Sequence, residues 1–409
     1  MEPKRELTNW IDSWKEFMGN SEAPPLYNEW CAVSMLASAL ERKCFLQWDK
    51  KIYPNFFIIL VGDAGCRKGT AMSPARTLLE TININIAADT TTKEKLVSRL
   101  EEAGLTTSYE DAEGNIKPYA AMTIFSEEFT VFLGYNNMDL MQWLADWYDC
   151  KDIWKYETKH QNSNSIEGLW VNLIGATTPE LLQGTLPRES FGGGLNSRII
   201  YVFAAPSEVK LVVFPHHQKQ NQELKLKLER DLEVLRMYSG EFIPTKSYEA
   251  CWAEWYPQAK DIALSNDRRM AGYMNRRGTH LHKLAMIMNV SRQGGLQLTD
   301  VDFNNALDLL ERTERVMQKT FDGIGTSNMA AIMSNIINML RVKQALKYSE
   351  LLRHFYFDAT DAEFGAAIAT LDRAKLIEIR RSRESVEAAK DPMIVYIKQK
   401  VDTNPTINL

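Results

Sequence analysis

The chain has 409 residues, 45% of them hydrophobic and 25% charged, with a formal net charge of −5. This composition suits an ordinary globular protein with room for two or three domains; it excludes a disordered chain and a uniformly basic one, so any basic surface must be local. Five cysteines without a C-x-x-C pair point to a reducing cytoplasm, and no apolar run approaches the ~20 residues needed to span a bilayer.

Residues 1–50 read as a helical N-terminal region. "TNWIDSWKEFM" and "YNEWCAVSMLASALERKC" repeat apolar residues at three-to-four spacing, and "SEAPP" between them is a breaker and helix start. The opening "MEPKRELTNWIDSWKEF" is charged and amphipathic, unlike a signal peptide. Residues 51–206 alternate strands with helices. "NFFIILVG", "AAMTIFS", "LWVNLIGA" and "RIIYVFAA" are continuous apolar runs, as expected of strands buried on both faces of a parallel α/β sheet. Residues 207–325 are expected to form a helical lid, from "NQELKLKLERDLEVLRMYS", "THLHKLAMIMNVSR" and "DFNNALDLLERTERVMQKTF". After the linker "DGIGTSN", residues 330–409 run helix, helix, helix, hairpin, the order of a winged helix.

The first strand leads into "VGDAGCRKGT". A phosphate-binding loop needs inward-facing backbone N–H groups, a helix N-terminus behind them and a cation for the outer phosphates. Gly62 and Gly65 supply the tight turn and Lys68 the cation. Arg67 stands where the last glycine of G-x-x-x-x-G-K-[ST] belongs, Gly69 replaces the hydroxyl residue, and Thr70 arrives one position late as a candidate Mg²⁺ ligand.

The second strand ends in Glu127 and Glu128. The first carboxylate would hold Mg²⁺ through water and the second would polarise an attacking water, as in a Walker B segment. Carboxylates also favour helix N-termini without any chemistry. Thr178, after the third strand, reads equally as a γ-phosphate sensor and as the N-cap of "PELLQG".

Arg198 in "GLNSRIIYVFA" stands before the last strand, where ring ATPases offer an arginine to the neighbouring subunit's nucleotide; a local salt bridge is the alternative, and Arg188 the runner-up. Arg276 and Arg277 open a lid helix from which they could touch the same phosphates in cis. "IWKYETK" and "SIEGLWVN" flank the turn-rich "HQNSN", which predicts a hairpin carrying Lys155, Lys159 and His160 beside Trp154 and Tyr156. Such cations suit a single strand's phosphates; in isolation solvated surface lysines are the better reading, and the hairpin's insertion before the third motif strand changes the odds. His216, His217, His280 and His282 make no zinc ligand set. Arg373, Lys375, Arg380, Arg381 and Arg383 form a basic run in the tail, suited to DNA phosphates, though winged helices also bind protein.

In this order, "GDAGCRKGT", "TIFSEE", the hairpin with Lys159-His160, "IGATTP" and "GLNSR" resemble the P-loop NTPase core of AAA+ superfamily 3 helicases, closest to the primase-helicase ATPases of phages and plasmids. The resemblance covers roughly residues 20–320. It implies a hexameric ring with ATP and Mg²⁺ at subunit interfaces and Lys159 and His160 gripping single-stranded DNA in the pore. No primase or origin-binding segment is recognisable, so priming or loading would need a separate partner. The expected function is an ATP-dependent DNA helicase or translocase of mobile-element replication. The alternatives are a nucleotide-switched DNA-binding initiator or loader, and a protein-remodelling AAA+ ATPase.

Overall fold

The computed structural model describes residues 4–88, 91–111, 113–135, 137–158, 161–186, 193–209, 221–261, 270–321, 328–355, 359–380 and 391–397. The chain forms two compact units, Met1–Asp322 and Gly323–Leu409. No described helix is long and apolar enough to cross a membrane.

The first unit is α/β. Its four parallel strands are β1 (Phe57–Val61), β2 (Ala120–Ser126), β3 (Leu169–Thr177) and β4 (Ile199–Phe203), in the spatial order β4-β1-β3-β2. These are the four apolar runs, and all their residues but Phe203 are buried, as expected where helices cover both faces. Ile86 extends the pairing outward by bridging in parallel to Thr123 of β2.

The helices that position the site are α1 (Trp10–Phe17), α2 (Pro25–Leu40), α3 (Lys68–Thr81), α4 (Met138–Tyr148), α5 (Lys246–Asp261), α6 (Ala271–Ser291) and α7 (Asp300–Met317). Helix α2 starts at a proline, which suits a first turn whose N–H is unpaired anyway, and is buried on every side from Tyr27 to Leu40. Two of its serines, Ser34 and Ser38, bond to the sheet. The Asn172 amide donates to Ser34 Oγ (2.9 Å), Thr123 Oγ1 pairs with Ser38 Oγ (2.9 Å), and Phe56 N–H donates to Asn172 Oδ1 (2.9 Å). A buried network closed in this way fixes the helix against β2 and β3.

The flanking zones are less purely helical than their periodicity predicts. Cys44–Gln47 pairs in parallel with Gly240–Pro244, which pairs in parallel with Gln297–Leu298, while Lys51–Ile52 closes the other edge. This second sheet knits the N-terminal region to the expected lid. Strands of two to five residues are too short to show an alternation.

The predicted hairpin is present as Ile153–Thr158 against Gln161–Glu167. Gly168 (φ +60°) then turns the chain into β3, so "SIEGLWVN" belongs to two different sheets. Thr158 pairs with Gln161, which places Gln161–Asn164 in a strand rather than in the expected five-residue turn. Lys159 and His160 lie outside the described residues, as do Arg188, His216, His217, Arg381 and Arg383.

In the second unit, helices Asn328–Lys343, Tyr348–Phe355 and Asp361–Arg373 pack on a three-stranded antiparallel sheet of Ala345–Lys347, Met393–Tyr396 and Ile377–Arg380. Ile336, Leu340, Leu351, Phe364, Ala367, Ile377 and Ile394 are fully buried in its separate core.

Candidate nucleotide site

The carboxyl ends of β1, β2 and β3 bring the loop 62–68, Glu127–Glu128 and Thr177–Thr178 to one edge of the sheet, where open α/β sheets bind ligands. Gly62 lies under Tyr27 of α2. A Cβ at position 62 would stand 2.5 Å from Tyr27 Oη and 2.8 Å from Ala204 O. The Tyr27 hydroxyl donates to Val61 O at 2.6 Å, pinning the base of the loop. Gly65 turns the loop with φ +83°, and Arg67 follows at φ 58°, ψ 30°. Arg67 thus adopts the left-handed backbone that a glycine would supply, and its guanidinium pairs with Glu22.

No side chain caps the N-terminus of α3, so its first N–H groups face the loop carrying the partial positive charge of the helix end. The Lys68 ammonium folds back into the loop, donating to Gly62 O (2.5 Å) and Asp63 O (3.0 Å). Partial burial holds Lys68 below the ordinary lysine value, opposed by the nearby Cys66, Glu128, Asp63 and Glu180.

Position 69 faces the acidic strand end. A Cβ on Gly69 would lie 3.4 Å from Glu127 Oε2. The hydroxyl residue of the usual loop would therefore meet this carboxylate, and glycine leaves the gap open. Thr70 is exposed, about 100° further round the helix. Glu127 and Glu128 are both exposed at the rim, and the Glu128 carbonyl starts the short helix Phe129–Leu133 by accepting from Phe132 N–H at 3.0 Å. Thr178 Oγ1 accepts from Leu181 N–H (3.3 Å), so it caps the next helix while standing at the same edge.

Arg198 lies at the opposite, amino edge of the sheet, a full strand of about 15 Å away from its own loop. It is clasped by Asp149, which follows α4, and donates to Gly194 O at 2.8 Å. Arg276 reaches the same carboxylate at 3.5 Å and donates to Ser197 Oγ at 3.2 Å. Arg277 is not brought to the loop. It is buried in a two-pronged pair with Glu314 of α7 (both 2.8 Å), with its guanidinium carbon 5.1 Å from the centre of the Trp255 ring.

Lys155 is exposed on the hairpin. Trp154 stacks on Tyr156 (5.8 Å, 4°), and Trp143 of α4 packs edge-on against Tyr156 at 4.8 Å. The hairpin base is thereby braced on α4, the helix that Asp149 follows. Sequence reading found the loop and the acidic pair but missed Tyr27, Glu22 and Asp149. No local pattern marks them, because each acts through a contact with a residue distant in the chain.

No protein-family model matches this chain, and a search of the curated proteins finds no match.

Proposed function

We propose that the chain is an ATP-hydrolysing motor of AAA+ type, similar to superfamily 3 helicases, that works as a homo-oligomeric ring on single-stranded DNA. The observation that carries this reading is the apposition of Gly69 and Glu127 at the uncapped N-terminus of α3. It joins the anion-attracting end of a helix to a cation-attracting carboxylate within one small space.

ATP with Mg²⁺ supplies the anhydride whose cleavage drives the work. The N–H groups of Lys68, Gly69 and Thr70 and the Lys68 ammonium neutralise phosphate charge. Glu127 would hold the ion, and Glu128 would take the proton of a water attacking the outer phosphate. Arg198, too far to serve its own loop and held here by Asp149, would serve the neighbouring copy on leaving that carboxylate, and its guanidinium stays charged for the task. The second unit reads as a winged helix whose exposed Arg373 and Lys375 suit DNA phosphates, which also favours a nucleotide-switched initiator or loader.

The test is ATP turnover with and without single-stranded DNA, alongside molecular size with and without ATP. Wild type is expected to turn over faster on DNA and to grow in size with ATP. Lys68→Ala loses nucleotide binding, whereas Glu128→Gln keeps binding and loses turnover by about a hundredfold or more. Wild-type turnover in Glu128→Gln would sink the assignment.

A further inference from the structure

We propose that the first unit carries a second nucleotide-recognising site, separate from the loop at 62–68: an aromatic cleft that stacks a nucleobase, continuous with a cationic trough that receives its phosphate.

The cleft, about 570 Å³, lies between the turn bearing Trp48 and helices α5 and α6. Trp48 is 49% exposed and Tyr256 38% exposed, and both line it. Trp252 stacks on Tyr256 (4.5 Å, 20°) and meets Trp48 edge-on at 5.5 Å. Gly278 allows this arrangement, because a Cβ there would stand 2.8 Å from the Trp252 ring. Trp48 and Tyr256, on either side of Trp252, keep exposed aromatic surface, and such surface is a platform on which bases of any sequence stack.

The lining also carries hydrogen-bonding groups suited to a base edge. His282 lies under the two indoles, 4.3 Å from Trp252 and 4.9 Å from Trp48. Tyr248 Oη is 2.7 Å from His282 Nδ1, its one hydrogen-bond partner among the described residues. The ring tautomer sets the direction of this bond: Nε2 carries a proton if the hydroxyl donates and a lone pair if it accepts. That Nε2 and Arg277 Nη1 are buried without a partner among the described residues, and both residues line the cleft. Buried polar atoms normally find a partner, and a base edge carries both donors and acceptors. Asn275 and Thr279 add an amide and a hydroxyl. No carboxylate among the described residues lines the cleft, which disfavours the ammonium ligands that aromatic boxes otherwise take.

The trough, about 650 Å³, shares Ile52 and Thr279 with the cleft. Among the described residues, Lys50, Lys51, Lys151, Arg276 and Lys283 line it against Asp149 and Asp152. A surplus of cations beside a stacking platform is the combination that holds single-stranded nucleic acid. A proline-rich peptide would use the aromatics but has no need of the cations. Base and phosphate could come from a strand or from a free nucleotide, and the experiment separates the two.

The site is tested in the full-length Lys68→Ala protein, so that the loop contributes nothing and failure of the motor reading is scored separately, by ATP turnover. Equilibrium binding of a short oligothymidylate and of thymidine monophosphate is measured as a function of salt. Trp48→Ala is expected to weaken binding about tenfold or more, and Trp48→Phe to retain most of it. Lys51→Glu weakens binding and flattens its salt dependence. The same pattern with the monophosphate assigns a free nucleotide; binding of the oligonucleotide alone assigns a strand. The proposal is overturned if neither probe binds, if Trp48→Ala and Lys51→Glu bind like their parent, if Trp48→Phe loses as much as Trp48→Ala, or if only a proline-rich peptide is captured.

Discussion

Arg67 holds a backbone conformation that costs a side-chain-bearing residue about 1 kcal/mol relative to glycine. Its guanidinium pairs with Glu22 in partial compensation, and both glycine and alanine would lose that pair equally. Arg67→Gly is therefore expected to exceed Arg67→Ala in stability by about 1 kcal/mol in urea unfolding; equal stabilities would show that position 67 is not left-handed in solution. At this scale the sequence was informative where chemistry is local. Gly62, Lys68 and Glu127 announce themselves by spacing, and the odd letter at 67 keeps the backbone of the glycine it replaces. Tyr27 and Asp149 are illegible, because a hydroxyl under a loop and a carboxylate between two arginines are set by folding partners more than 30 residues away.

Among the elements, the four core strands and the long helices were readable because each repeats one pattern for several residues. The second sheet was not, since its strands contribute only a few residues each and are joined from three distant places. Helix α6 hides another property. Burial pushes His280 down to about 3 and His282 down to about 4, and Lys283 beside them adds to the effect at His280. Between pH 4 and 6.5 the folded chain keeps both imidazoles neutral while the unfolded chain takes up protons. The unfolded state therefore binds more protons, and stability falls as pH drops through that window, by about 1.4 kcal/mol per pH unit for each group. His282→Gln is expected to lower stability at neutral pH yet remove about one proton from the slope. An unchanged slope in urea titrations from pH 6.5 to 4.5 would contradict the burial of this ring.

On the scale of the molecule, the two units have separate cores. Residues 323–409 are expected to fold alone, giving a cooperative thermal transition and a mixed helix–strand dichroism spectrum, since their buried cluster closes on itself. A featureless melt would mean that this core needs the rest of the chain. The first unit does not divide in the same way. Its α2 is enclosed by elements from both ends of the unit, and Cys44 finds its parallel partner only at Gly240. A ribosome adding about 5–20 residues each second would take roughly 10–40 s to deliver that partner after the earlier strand has emerged. Through that interval the nascent chain holds an apolar helix and a strand with one open edge, so production of this protein is expected to depend on chaperones that shield apolar nascent segments.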